Sequence, residues 1–189
     1  MSFNEEVLNK LCPRPRNGPL DSYRTKATFD WRTFRVKFHG EDILDLKMRI
    51  WNDLEADPIF SQKPEESLRS KRASTFRKVK KLIELNHVPF EVSMMEPQKS
   101  MAWVGAVGMY DWSVAARKML LVDFLVTNVL GAGTAKHQDF VQDLVRGKAF
   151  GCFALTEVSH GTNTKAMRTT ATYNVKEGMF TLHTPDFEA

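Results

Sequence analysis

The feature that most constrains the fold of this chain is a change in hydrophobic period near residue 148. Before that point, apolar residues recur at the three-to-four spacing of one helix face, as in Ile43, Leu46, Ile50 and Leu54. After it, the segment Met179–Thr184 alternates with the period of two that is typical of a strand. We therefore expect an α+β fold, in which an N-terminal α-helical domain is followed by the first strands of an antiparallel β-domain.

Three segments follow from this pattern. Residues 1–20 are rich in Pro and Gly and predict an extended N-terminal arm, residues 21–148 predict the helical domain, and residues 149–189 predict the start of the β-domain. Within the last segment we expect a buried strand over 149–155 and a hairpin, turning near Gly178, between 167–174 and 179–184. Three strands do not readily close a stable sheet, so the pattern indicates a truncated β-domain.

The predicted helices have recognisable ends. The helix that contains Ile50 is stopped by Pro58. The remaining predicted helices are one with Phe76, Val79, Leu82 and Ile83 on its apolar face, one over 99–108, one over 112–130 that stops at Gly131, and one from the N-cap Thr134 to Gly147.

Composition excludes several classes of protein. A chain with 42% hydrophobic and 26% charged residues is typical of a soluble globular domain, and a net charge of +4 is too small to indicate nucleic-acid binding. Cys12 and Cys152 match no metal or redox spacing, which predicts free thiols in a reducing compartment and no metal site. The most apolar stretch, 119–130, is too short to span a bilayer, so we expect no membrane span.

One long string gives the chain a likeness to a known family. The segment 151–165, GCFALTEVSHGTNTK, is followed by Thr169–Tyr173, and upstream islands occur at 18–24, 57–60 and 108–111. In this order they resemble the peroxisomal acyl-CoA oxidases of the acyl-CoA dehydrogenase/oxidase superfamily, with most similarity to the branched-chain (pristanoyl-CoA) type. The likeness extends from about residue 18 to the end of the chain and implies that the chain is the N-terminal part of such an enzyme.

The resemblance implies an FAD-dependent oxidation of acyl-CoA by dioxygen to trans-2-enoyl-CoA and hydrogen peroxide, within peroxisomal fatty-acid β-oxidation. It assigns FAD binding to Thr156, whose hydroxyl, with free backbone N–H groups in the next turn, could meet the acceptors at the flavin edge. It assigns acyl-CoA contacts to Ser159 and Gly161; glycine permits close approach or a positive φ. It also implies a homodimer and a peroxisomal location, although the chain shows no targeting signal.

The catalytic base of the family is a carboxylate that we expect beyond residue 189, so no residue here is assigned to catalysis and the chain alone is predicted to be inactive. His160 is a titratable group in the motif, but we interpret it as a surface or capping residue. We interpret Glu157 as structural, bonded to backbone in the turn. The basic run over 65–81 could steer a CoA ester, and a solvated helix face is the plainer interpretation.

Alternatives to the oxidase remain open from sequence alone. The chain could be a non-catalytic truncated isoform that binds acyl-CoA or pairs with a full-length subunit. It could also derive from an acyl-CoA dehydrogenase, which shares the Leu-Thr-Glu element but passes electrons to a protein. For the aromatic residues Trp103, Tyr110 and Trp112, core packing is the favoured interpretation over lining of an acyl tunnel.

Overall fold

The computed structural model describes residues 3–61 and 67–189, which form two compact units. The helical unit runs to Gly151 and the C-terminal unit comprises Cys152–Ala189. The predicted domain bounds, 21–148 and 149–189, stay predictions. The expected α+β class is confirmed, because helices are followed by a two-stranded antiparallel sheet.

In the central part of the helical unit, the bounds of the helices agree with the predicted pattern. The helices are α1 (Glu5–Leu11), α2 (Asp21–Arg24), α3 (Trp31–His39), α4 (Glu41–Ala56), α5 (Leu68–Leu85), α6 (Phe90–Met95), α7 (Pro97–Tyr110), α8 (Trp112–Lys118), α9 (Phe124–Ala132) and α10 (Gln138–Val145). A π-helical segment, Met119–Asp123, joins α8 to α9, so the predicted helix over 112–130 is continuous. Thr134 caps the short 3-10 turn that precedes α10.

The prediction of an extended N-terminal arm is wrong over residues 5–11. Asn4 accepts the N–H of Glu6 and starts α1, and Leu8 and Leu11 are buried. A buried guanidinium holds this helix to α3, because Arg32 donates from Nε to the Cys12 carbonyl (2.9 Å) and from its terminal nitrogens to Glu5 and Asn9 (both 2.6 Å). The tertiary contacts of α1 therefore outweigh the Pro-rich sequence that follows it.

The main core lies among α4, α5, α7 and α8. Ile50, Val79, Val107 and Ala115 are each 0% exposed, and Trp103 packs beside them. In each helix these residues belong to an apolar face whose members are spaced three and four residues apart. The apolar faces of the four helices pack against one another. The core therefore fixes the positions of α5 and α8, two helices that line a surface groove described below.

The aromatic residues only partly follow the prediction of core packing. Trp103 is buried, and Tyr110 packs edge-on against Phe60 with a ring-centroid distance of 6.0 Å. Trp112, in contrast, is 61% exposed, so core packing is wrong for this residue. As the first residue of α8, it stands beyond the buried stripe that continues with Val114 and Ala115.

The C-terminal unit contains strands β1 (Thr170–Asn174) and β2 (Met179–His183). They pair antiparallel, with Thr172 opposite Thr181, and Gly178 lies in the connecting turn at φ +65°. The predicted hairpin is confirmed. The predicted buried strand over 149–155 is wrong: this segment forms no strand, and residues 152–155 are exposed. A strand needs a neighbour for its N–H and C=O groups, and this segment pairs with neither β1 nor β2.

Cys12 is buried and Cys152 exposed, and both are free thiols, as predicted. Across residues 3–61 and 67–189, no helix is long and apolar enough to cross a membrane. Within the same ranges, no group of three or more His, Cys, Asp and Glu side chains is placed to hold a metal ion. Glu65, at the start of the basic run, lies outside the described residues.

Candidate functional site

The motif 151–165 is organised around the carboxylate of Glu157. This is the only buried residue between 152 and 189, all of which are described. Its oxygens accept the backbone N–H groups of Arg168 and Thr169, both at 2.8 Å, and lie 3.1 Å from Nε2 of His160. A buried carboxylate therefore replaces the strand partner that these N–H groups would otherwise need. These hydrogen bonds join the two ends of the segment 158–167, which contains a turn and a 3-10 helix.

The surroundings of Glu157 keep it ionised. Desolvation raises the pKa of the carboxyl, but hydrogen bonds from the Arg168 and Thr169 N–H groups, the Thr169 hydroxyl and His160 outweigh it and lower the pKa from 4.5 to about 2. A carboxylate whose oxygens are occupied by its own loop is a poor proton acceptor. The interpretation of Glu157 as structural is confirmed, although its backbone partners lie further along the chain than the adjacent turn.

A second contact closes the other side of the loop. The guanidinium of Arg168 forms a two-pronged ion pair with Asp186, and its Nη1 lies 3.7 Å from Glu188. The backbone N–H of Ser159 donates to the carbonyl of Glu188 at 2.9 Å. The last residues of the chain therefore hold both ends of the segment that starts at Glu157 and ends at Arg168.

Thr156, the predicted FAD ligand, lies directly before this anchor. Its side chain is exposed and forms no hydrogen bond with any described residue, so its hydroxyl is free to donate to a ligand. This fits the requirement of a flavin edge for a hydrogen-bond donor. Because the neighbouring residue is buried and fully bonded, the backbone that carries Thr156 is held on its C-terminal side.

The predicted substrate contacts, Ser159 and Gly161, are also exposed in the turn after Glu157. The Ser159 N–H is already used by Glu188, so it is not one of the free donors that the sequence suggested. Gly161 does not have a positive φ, and a Cβ at this position would meet no atom within 4 Å. Its backbone geometry therefore does not require glycine, and its role as a substrate contact stays a prediction.

His160 is not the surface residue that we expected. Its side chain is only 4% exposed, and Nε2 points to Glu157 while Nδ1 has no hydrogen-bond partner. This ring supports Glu157 from inside the loop. The prediction that it is not a catalytic base is unaffected. Sequence reasoning missed Arg168 and Asp186, which lie too far apart in the chain for any local pattern to pair them.

Comparisons with known proteins agree with the motif. No family model matches the chain. The chain is 40% identical to human peroxisomal acyl-coenzyme A oxidase 3 over 181 residues, which cover 95% of the chain and 26% of that protein. It is 30% identical to an acyl-coenzyme A oxidase of Caenorhabditis elegans over 171 residues, which cover 90% of the chain and 25% of the relative. The chain thus spans about a quarter of the length of these relatives.

The fold shows the same relationship. The crystal structure of acyl-CoA oxidase 1 from Yarrowia lipolytica superimposes with a TM-score of 0.72 at 26% sequence identity, over 89% of this chain and 25% of that one. The match covers the helices and the start of the β-structure. By sequence over nearly its whole length and by the course of its backbone, the chain is a homologue of the acyl-CoA oxidases and corresponds to about a quarter of one.

Proposed function

We propose that the chain contributes the helical part and the first flavin-contacting segment of an FAD-dependent acyl-CoA oxidase. The reaction is the oxidation of acyl-CoA by dioxygen to trans-2-enoyl-CoA and hydrogen peroxide. The observation that carries the proposal is the identity of 40% with a peroxisomal acyl-coenzyme A oxidase over 95% of the chain. This length includes the Leu-Thr-Glu element and the loop that Glu157 anchors.

In this proposal Thr156 holds FAD, and Ser159 and Gly161 lie along the acyl-CoA. FAD, when bound, supplies the oxidant that takes up hydride from the acyl β-carbon and passes the electrons to dioxygen. The Thr156 hydroxyl, which has no partner in the described chain, donates a hydrogen bond to the cofactor. Glu157 and His160 act as positioning residues, because their mutual contact and the two backbone N–H bonds fix the loop beside Thr156.

We assign the proton-abstracting carboxylate to no residue of this chain. Glu157 is the carboxylate nearest in sequence to the proposed ligands, and its hydrogen bonds hold its pKa at about 2, far below what a base at neutral pH needs. We therefore expect the isolated 189-residue chain to give no turnover.

Location and assembly are proposed by analogy. Relatives from Homo sapiens and Arabidopsis thaliana are named peroxisomal oxidases, and we propose a peroxisomal location for this protein too. We also propose that the complete enzyme is a homodimer. The proposed partners are the acyl-CoA substrate and dioxygen, with no nucleic acid and no membrane span.

A chimeric enzyme tests the proposal. The chain is substituted for the matched quarter of the Yarrowia lipolytica oxidase, and the product is assayed for bound FAD and for peroxide formed from acyl-CoA. We expect a yellow enzyme that forms peroxide. A folded but colourless chimera contradicts the proposal. A yellow chimera that reduces a protein electron acceptor but forms no peroxide would identify a dehydrogenase instead.

The same assay distinguishes the catalytic proposal from the non-catalytic alternative. If the chain is an acyl-CoA-binding or subunit-pairing module, the isolated chain binds acyl-CoA or the intact oxidase, while the chimera lacks peroxide formation. If the chain is a part of the catalytic enzyme, the chimera is active. The parent Yarrowia enzyme, purified in parallel, provides the reference activity.

A further inference from the structure

A groove on the helical unit brings together cations that have no role in the proposed reaction. It lies between α5 and α8 and has a volume of about 400 Å³, which is within the range of small-molecule sites. On α5 it is lined by Leu68, Lys71, Arg72 and Thr75, a spacing of three and four that places all of them on one helix face. The basic run of the sequence therefore has one ordered face.

The opposite wall of the groove repeats this spacing. Ser113 and Arg117 lie one helical turn apart on α8, and Leu120 follows in the π-helical segment. Lys71, Arg72 and Arg117 thus border one groove, and Thr75 and Ser113 contribute hydroxyl residues to its lining. Two cations on α5 and one on α8 that line the same groove concentrate positive potential more than the cations of either helix do alone.

The groove cations lack the neutralising contacts that other cations of this unit have. Lys81 pairs with Asp57 at 3.2 Å, and Lys118 pairs with Asp123 at 2.6 Å. Within residues 3–61 and 67–189, no carboxylate lies within ion-pair distance of Lys71, Arg72 or Arg117. None of the residues lining the groove is acidic. Its positive charge is therefore available to a ligand.

A second cavity, inside the helical unit, is a weaker candidate. Its volume is about 80 Å³, and its cation, Lys118, is already held by both oxygens of Asp123 at 2.6 and 2.8 Å. Lys118 also lies over the ring of Trp103 at 4.7 Å. A site whose charge is balanced internally attracts an anion poorly, whereas the groove has several unbalanced cations.

We propose that the α5–α8 groove binds the phosphate groups of a coenzyme A ester. Guanidinium and ammonium groups are the usual protein ligands of phosphate, and guanidinium binds two oxygens at once. Leu68 and Leu120 provide apolar surface for the organic part of the ligand. The identification of the phosphate bearer as a CoA ester rests on the proposed function, while the groove itself rests only on the residues of α5, α8 and the π-helical segment.

The test measures binding of three probes to the 189-residue chain by isothermal titration calorimetry at low salt. The probes are lauroyl-CoA, inorganic pyrophosphate and lauric acid, which separate a CoA ester, a bare phosphate and a carboxylate with no phosphate. We expect the two phosphate probes to bind more tightly than lauric acid, and we expect their binding to weaken as salt is added.

The decisive comparison is between two double variants with the same change in net charge. R72Q/R117Q removes groove cations, and R77Q/K80Q removes exposed cations of α5 that do not line the groove. We expect about a tenfold weaker affinity for both phosphate probes in the groove variant and less than about a twofold change in the control. Circular dichroism melting of both variants checks that each one folds.

Each outcome decides the proposal. An equal loss in both variants shows that net charge alone attracts the probes and overturns the groove, as does a wild-type chain that binds neither phosphate probe. Binding of pyrophosphate that depends on Arg72 and Arg117, without binding of lauroyl-CoA, supports a phosphate groove and contradicts acyl-CoA as its ligand. Failure of the chimera to hold FAD contradicts the proposed function and leaves the pyrophosphate result standing.

Discussion

Different interactions stabilise the interior of each of the two units. In the helical unit, the core is made of buried apolar side chains, among them Ile50, Val79 and Val107 at 0% exposure. In the C-terminal unit, the apolar residues Phe180 and Leu182 are 69% and 76% exposed, and the buried residue is the carboxylate of Glu157. Hydrophobic burial orders the first unit, whereas hydrogen bonds and ion pairs order the second.

Each unit is therefore vulnerable to a different kind of change. A core of interlocking side chains loses stability when a large residue is shortened, and the loss spreads because neighbours share the cavity. A loop tied by one carboxylate loses its order when that carboxylate is removed or protonated. The chemistry that we propose for Thr156 therefore depends on a polar anchor and not on a hydrophobic core.

The largest effect is expected from shortening a core aromatic residue. Trp103 is 4% exposed and packs within the main cluster, so Trp103→Ala should lower the free energy of unfolding by about 3–5 kcal/mol through lost burial and a residual cavity. Urea unfolding monitored by far-ultraviolet circular dichroism measures this loss. A change below about 1 kcal/mol would contradict the importance that we give to burial in this unit.

A smaller effect is expected from the polar contact that holds α1. Arg32 is 1% exposed and bonds to Glu5, Asn9 and the Cys12 carbonyl, so Arg32→Ala should cost about 2–3 kcal/mol. It should also expose Cys12. In the wild-type chain a thiol reagent should modify Cys152 quickly and Cys12 slowly, and in the variant both quickly. Unchanged slow labelling of Cys12 would contradict this role of Arg32.

The C-terminal unit should respond to the loss of Glu157 in its own loop. Glu157→Ala removes the acceptor of the Arg168 and Thr169 N–H groups, so their amide hydrogen exchange should become as fast as that of exposed loop residues. Glu177→Ala, an exposed position in the hairpin turn, is the matched control and should leave both amides protected. Exchange that is equal in the two variants would rule out Glu157 as the anchor.

The same anchor predicts a dependence on pH. The folded pKa of Glu157, about 2, lies below its ordinary value of 4.5, so the ionised form stabilises the loop fully above pH 4.5, and this contribution is lost as the pH falls from 4.5 towards 2. In the folded chain the Arg168 and Thr169 amide resonances follow the ionisation of Glu157, so their shift should be centred on a pH of about 2. In Glu157→Gln this transition should be absent, and its persistence would assign it to another group.

The smallest effect is expected from the hairpin surface. Leu182 is 76% exposed, so Leu182→Ala should change the free energy of unfolding by less than about 0.5 kcal/mol. Denaturant unfolding next to Trp103→Ala shows the contrast directly. A loss comparable to that of the Trp103 variant would mean that the strands have a hydrophobic core of their own.

The sequence predicted the parts of the fold in which local pattern and tertiary packing agree. The helices over 41–56 and 68–85 and the hairpin around Gly178 have periodic apolar residues or turn glycines, and the structure has them. The helix at 5–11 has a good N-cap in Asn4 but only seven residues, so it depends on its contacts with Arg32 of α3, which no local pattern encodes. The strand expected over 149–155 failed because a strand depends on a partner, which its own sequence does not encode.

The candidate site divides in the same way. The motif predicts Thr156, Ser159 and Gly161 as ligand contacts through resemblance, and these roles stay predictions. For Glu157, local chemistry predicted bonds to backbone, and the structure has them. The sequence could not identify the hydrogen-bond partners of Glu157, which are the N–H groups of Arg168 and Thr169. It also could not identify the ion pair between Arg168 and Asp186. Contacts between residues this far apart in the chain arise from the course of the backbone, and a single sequence has no local signal for them.

The placement of FAD at Thr156 can be tested by the affinity for FAD of Thr156 variants in the chimeric Yarrowia enzyme. Quenching of flavin fluorescence on binding gives the dissociation constant for the parent chimera, for Thr156→Ala and for Thr172→Ala, which removes an exposed hydroxyl from β1. We predict about tenfold weaker binding for Thr156→Ala and no change for Thr172→Ala, because only the first removes a hydrogen bond to the cofactor. Equal affinities for the two variants would contradict the placement of FAD at Thr156.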